Sequence, residues 1–178
     1  MPKNEKKYSE LLNPPMRPDL EEDRRQSLGR VFKKEDQFLD KISQLESSGG
    51  SDVDHPMMTH GIHKDQRAIG EYGLMPNTIQ EVVNRSSMQG DPTLEPLKGM
   101  SDEEVEQAIS INPDLEQNLA RKLARHVLQR QLGNESKSAY AWQMGHNKRP
   151  EDISQEQLNS SDYVNKFNRL KKKMSNRK

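Results

Sequence analysis

Glu46 is the residue with the most to offer chemically. It lies in Gln44-Leu45-Glu46-Ser47-Ser48-Gly49-Gly50, where an apolar stripe of Phe38, Ile42 and Leu45 runs into two glycines, a helix followed by its stop signal. A carboxyl on the last turn of a helix meets the negative end of the helix dipole, and apolar neighbours desolvate it, so both effects favour the protonated form. Such a group is a general acid, able at neutral pH to hand a proton to a leaving oxygen. A glycine-rich turn, Gly70-Glu71-Tyr72-Gly73, then leads through Met75-Pro76-Asn77-Thr78 into another helix, and Ala141-Trp142-Gln143-Met144-Gly145 ends a later one. Trp142 has two readings, a platform for stacking or a core anchor. His55, His60 and His63 with Asp52 and Asp54 are residue types that bind zinc, but their spacing is not that of an HExxH helix. They read as loop residues, and neither a metal nor another cofactor is expected. The chain has no cysteine, which removes disulfides and thiolate chemistry.

The elements that must position these residues are helical in pattern. The first is expected from Asp19 to Ser48. Another opens at Asn77 as N-cap and carries Ile79, Val82 and Val83 on one face. Ser101 and Glu104 form a capping box ahead of Val105, Ala108 and Ile109. Asn112-Pro113-Asp114 reads as N-cap, N1 proline and acidic first turn of the broadest apolar helix, with Leu119, Leu123 and Val127 in one row and Ala120, Ala124 and Leu128 in the next, until Gly133. A short helix runs from about Glu135 to Met144. After a polar linker, Tyr163, Phe167 and Leu170 mark a final amphipathic one. No alternating strand pattern or internal repeat is present, so the expected class is mainly α.

Taken in order, the three separated motifs resemble those of the soluble lytic transglycosylase family, which cuts the glycan backbone of peptidoglycan. The resemblance covers roughly residues 36 to 148. It implies a lysozyme-like transglycosylase domain over 36–148, preceded by an N-terminal arm and lead-in helix over 1–35 and followed by a polar linker and basic C-terminal helix over 149–178. It also implies that Glu46 acts first as acid and then as base while the sugar's own 6-hydroxyl closes a 1,6-anhydro ring, so that no second carboxylate is needed, unlike the two-carboxylate glycosidases. Ser47, Tyr72, Met75, Trp142 and Gln143 would contact the glycan. The chain departs from the family in three ways. Gly73 replaces the turn's glutamine, Trp142 and Gln143 replace tyrosine and asparagine, and several residues are inserted between Gly50 and Gln66. An indole can stack on a sugar and donate a hydrogen bond, but it cannot accept one as a phenol can.

Composition sets the remaining bounds. At 178 residues the chain suits one domain with tails, and its 30% apolar against 31% charged residues are poor in core material, so the termini are expected to lie outside the core. Prolines 2, 14, 15 and 18 make the N-terminus an extended arm, free or bound to a partner such as a virion protein. The 28 basic and 28 acidic residues balance, and no nucleic-acid partner is expected. The run Lys171-Lys172-Lys173 reads as a solvated helix end. No apolar stretch resembles a signal peptide or a membrane span. The expected location is therefore a bacteriophage particle, or the host cytoplasm before release to the wall, with peptidoglycan glycan strands as partner. The rival readings are a hydrolysing muramidase of the same fold and a non-catalytic wall-binding or virion structural protein.

Overall fold

A computed structural model of the chain describes residues 33–58, 66–85 and 92–175. The architecture is mainly α. A helix over 33–46 (α1) is followed by α2 (Pro76–Asn84), a 3-10 turn (Glu95–Leu97), α3 (Asp102–Ile111), α4 (Pro113–Arg130), α5 (Glu135–Met144), a second 3-10 turn (Pro150–Asp152), α6 (Gln155–Ser160) and α7 (Asp162–Ser175). The described residues from Glu35 onward form one compact unit. Among them the only extended pairing is an isolated antiparallel bridge between Ile69 and Leu74, and no helix is long and apolar enough to cross a membrane. The expected arm, and the first part of the helix expected from Asp19, lie outside the described residues.

Most helix boundaries follow from local chemistry. The Ser101 hydroxyl accepts from Glu104 N at 3.3 Å while the Glu104 carboxylate accepts from Ser101 N at 2.8 Å, the expected reciprocal cap. The Asn112 side chain caps α4 by accepting from Leu115 N, with Pro113 at its first position. The start of α2 differs from expectation: Pro76 takes the first helical position, where its fixed φ suits the helix and its missing N–H costs nothing, so the N-cap moves back to Met75. Asn77 is thereby inside the helix, and its side-chain oxygen accepts from Gln66 Nε2 at 3.1 Å.

The core gathers around α4, whose Leu119, Ala120, Leu123, Ala124 and Val127 are all buried. Phe38 of α1 sits at the junction of three elements. Its ring lies 5.4 Å from Phe167 of α7 and 5.9 Å from Trp142 of α5, the latter edge to face, a geometry worth about 0.5–1.5 kcal/mol per pair beyond the area buried. Ion pairs hold the same helix. Arg125 of α4 donates from Nε and Nη2 to the buried Glu35 at 2.7 and 3.0 Å, and the buried Lys41 donates to Glu135 of α5 at 2.9 Å. Burial works to raise the Glu135 pKa, but Lys41 and then Lys171 outweigh it and hold it below the usual carboxylate range.

The stretch after residue 148 is more than a linker. Ile153 and Leu158 pack with Tyr140, Ala141 and Val164 in a second small apolar cluster, and Phe167 is fully buried in the main one. The described residues 149–175 therefore belong to the same unit as the preceding helices, through the burial of Ile153, Leu158, Val164 and Phe167. Phe167→Ala should accordingly cost about 3–5 kcal/mol, and the melting temperature should fall by roughly 10 °C or more. A loss below about 1 kcal/mol in urea unfolding would mean that α7 is an appendage.

Candidate active site at the end of the first helix

The last turn of α1 is closed by the glycines its sequence carries. Ser48, Gly49 and Gly50 all have left-handed φ values (54, 77 and 81°), which the two glycines adopt without a Cβ penalty. Ser47, expected to contact glycan, serves this turn instead. It is 1% exposed, and its hydroxyl donates to Ser43 O at 3.1 Å and accepts from Gly50 N at 2.8 Å, which leaves it no surface to offer a ligand.

Glu46 is the final residue of the helix and is half-buried. Two elements distant in sequence meet its carboxyl. From α7 the Tyr163 hydroxyl donates to Oε1 at 2.6 Å. From the 69–74 turn Gly73 approaches Oε2 so closely that a Cβ there would stand 2.7 Å away, and its φ of +61° also requires glycine. Loss of water raises the Glu46 pKa, opposed first by the Tyr163 hydrogen bond and then by His55, and burial wins. Tyr163 stays protonated, since burial and then the adjacent carboxylate push its own pKa well above the usual phenol value. The turn that brings Gly73 here is closed by two backbone hydrogen bonds, Ile69 N to Leu74 O at 2.8 Å and Leu74 N to Ile69 O at 3.0 Å. Glu116 of α4, 8% exposed, accepts from Tyr72 N at 3.0 Å.

The other expected contacts divide. Tyr72 is 8% exposed and belongs to the core, with its hydroxyl hydrogen-bonded to the Gln117 side chain, a structural place in contrast to the expected glycan contact. Trp142 is half-buried against Phe38, so the core-anchor reading describes its packing. Met75 is half-buried at the entry to α2, and Gln143 is exposed. A cavity of about 490 Å³ opens beside the turn, lined among others by His55, Arg67, Glu71, Glu106, Pro113 and Glu116 but not by Glu46. In it Glu71 accepts from the Ser43 hydroxyl at 2.5 Å, and the His55 ring meets Gly70 O at 2.7 Å. Among the described residues no group of acids, histidines or cysteines could hold a metal ion, and His60 and His63 lie outside them.

Tyr163 and Glu116 were not singled out by residue pattern as parts of one site. Tyr163 is legible only as the first residue of an apolar stripe, because its partner lies 117 positions away. A second polar cluster, also unforeseen, ties the end of α5 to α2 and α4. His146 bonds Glu81 at 2.6 Å, while Arg85 meets His126 Nδ1 at 2.7 Å. Burial, then the nearby Arg85, His146 and Arg130, lower the His126 pKa to about 4. No family model, curated protein or solved structure matches the chain. The geometry alone therefore carries the reading of the site.

Two outcomes follow from these contacts. Tyr163→Phe removes the donor that favours the charged carboxylate, so the Glu46 titration midpoint should move further up and stability should fall by about 1 kcal/mol; an unchanged midpoint by carboxyl-carbon NMR would mean the hydroxyl does not touch Glu46 in solution. An unfolded histidine takes its proton near pH 6.5, whereas folded His126 refuses one until about pH 4, so folding stability should drop as pH falls through that window. His146, lowered chiefly by burial, acts with the same sign. Urea midpoints measured from pH 7 to 4 should show a shallower decline in His126→Gln, and an identical decline would remove His126 as a contributor.

Proposed function

We propose that this chain is a peptidoglycan lytic transglycosylase that cleaves the bond between N-acetylmuramic acid and N-acetylglucosamine. One observation carries the proposal: a helix-terminal carboxyl, Glu46, desolvated enough to favour its protonated form and touched by a single strong donor, Tyr163. Protonated Glu46 gives its proton to the glycosidic oxygen as the bond to the anomeric carbon breaks. The resulting carboxylate is stabilised by the Tyr163 hydroxyl, then takes the proton of the sugar's 6-hydroxyl as that oxygen attacks the anomeric carbon. The acid is regenerated and the product carries a 1,6-anhydro ring. Burial suits the first half of the cycle and Tyr163 the second. A tethered nucleophile also needs no separate binding step. Met75 and the exposed Gln143 remain as proposed glycan contacts.

Glu71 favours a second reading. It is a further carboxylate on the same turn, held by Ser43 and bordering the cavity, where it could activate water and make the protein a hydrolysing muramidase. Mass spectrometry of digested sacculi separates the readings. The proposal expects muropeptides with 1,6-anhydro ends, lighter than hydrolytic products by one water and unchanged by borohydride. Reducible products with the added water would establish the muramidase, and no soluble product would favour a non-catalytic wall-binding protein. Glu46→Gln, nearly isosteric but unable to give a proton, should lose wall cleavage while melting near the wild-type temperature.

A further inference from the structure

The 69–74 turn must be held to something other than itself for Gly73 to stay against Glu46. Its two bridge hydrogen bonds join only its own ends, His55, which meets Gly70 O, comes from the adjoining loop, and Ser43 of α1 holds the Glu71 side chain but not the backbone of the turn. The apolar side chains of Ile69, Tyr72 and Leu74 anchor the turn in the core, yet apolar packing is non-directional and does not dictate where its N–H groups point. Glu116 supplies the direction. It rises from the first turn of α4, and its carboxyl accepts from the backbone N–H of Tyr72 at 3.0 Å. Gly70 completes the fit: any Cβ there would run into the Glu116 carboxyl, and the residue has a φ of +71°. A carboxyl 8% exposed is costly unless donors offset its lost hydration, and the Tyr72 N–H is such a donor.

We infer that Glu116 is a positioning residue: by accepting the backbone N–H of Tyr72 and filling the space beside Gly70 it fixes the turn, and the fixed turn keeps Gly73 pressed on the Glu46 carboxyl and water away from it. In catalytic terms this rests on the transglycosylase reading; as a statement about the turn and Glu46 it does not. The two levels can be tested separately in the full chain. Glu116→Gln preserves shape but replaces the charged acceptor of the Tyr72 N–H by a neutral amide, which weakens that hydrogen bond.

Amide exchange at Tyr72 should then quicken roughly tenfold, about the difference between a hydrogen bond to a charged acceptor and one to a neutral acceptor. The Glu46 midpoint, followed by carboxyl-carbon NMR, should move down toward the ordinary glutamate range. Gly70→Ala leaves Glu116 in place but drives a methyl into its carboxyl, and it should produce the same two shifts, which keeps the inference testable if the first variant does not fold. Unchanged exchange and an unchanged Glu46 midpoint in a folded variant would overturn it. On sacculi, Glu116→Gln should lower kcat more than it raises KM and move the alkaline limb of the pH profile to lower pH, because the acid then loses its proton sooner. Wild-type protein that releases no wall fragments while both spectroscopic shifts appear would refute the enzymatic reading and support the positioning role of Glu116.

Discussion

The partial burial of one carboxyl group, that of Glu46, is the constraint that brings three separate elements of the molecule together. A glutamate at a helix end is ordinarily solvated and charged. Here the close approach of Gly73 on one oxygen and the Tyr163 hydroxyl on the other replace water by a backbone and a phenol. Only a residue without a side chain can approach so near. Glycine at position 73, where the resembling family carries glutamine, is therefore a geometric requirement of this turn. Burial raises the pKa, and the Tyr163 hydrogen bond opposes that rise.

Keeping two distant segments on one carboxyl demands a rigid frame. Phe38, two turns before Glu46, is clasped by Phe167 and Trp142, and Phe167 lies one turn beyond Tyr163 on α7. Packing at that aromatic junction thus sets the separation between the acid and its donor. Paired charges fix the orientation of α1 about its axis: Glu35 is held by Arg125, and Lys41 by Glu135 while its ammonium lies 4.9 Å from the centre of the Phe167 ring. Each joins α1 to a different helix. The polar cluster of Glu81, Arg85, His126 and His146 plays a comparable part at the end of α5, at the cost of sensitivity to acid.

Features that depend on near neighbours in the chain were legible in the sequence, and those that depend on distant ones were not. The Ser101 and Asn112 caps, the glycine stops and the buried face of α4 all follow from spacings of a few residues, as does the place of Glu46 at a helix end. The exception among caps, Asn77, arose because an adjacent proline had the stronger claim to the first helical position. Periodicity assigned Tyr163 to an inward face but could not say that its hydroxyl would end on Glu46, since a stripe defines a face and not a partner. Glu116 likewise reads as an ordinary acid in a helix's first turn until the folded chain brings the Tyr72 N–H to it. Ser47 and Tyr72 illustrate the reverse error: their types suit a glycan contact, but the turn and the core consume their polar groups. The resemblance in motifs has no support from matched proteins, so the account stands on the chemistry of Glu46.

The most direct test of that chemistry is a crystal structure of Glu46→Gln soaked with a glycan of alternating N-acetylglucosamine and N-acetylmuramic acid. The account predicts the scissile glycosidic oxygen within hydrogen-bonding distance, about 2.6–3.2 Å, of the side-chain amide at position 46, with the sugar's 6-hydroxyl on the side open to the anomeric carbon. A glycan seated with its glycosidic bonds beyond reach of residue 46, for example in the cavity lined by His55, Glu106 and Glu116, would contradict it.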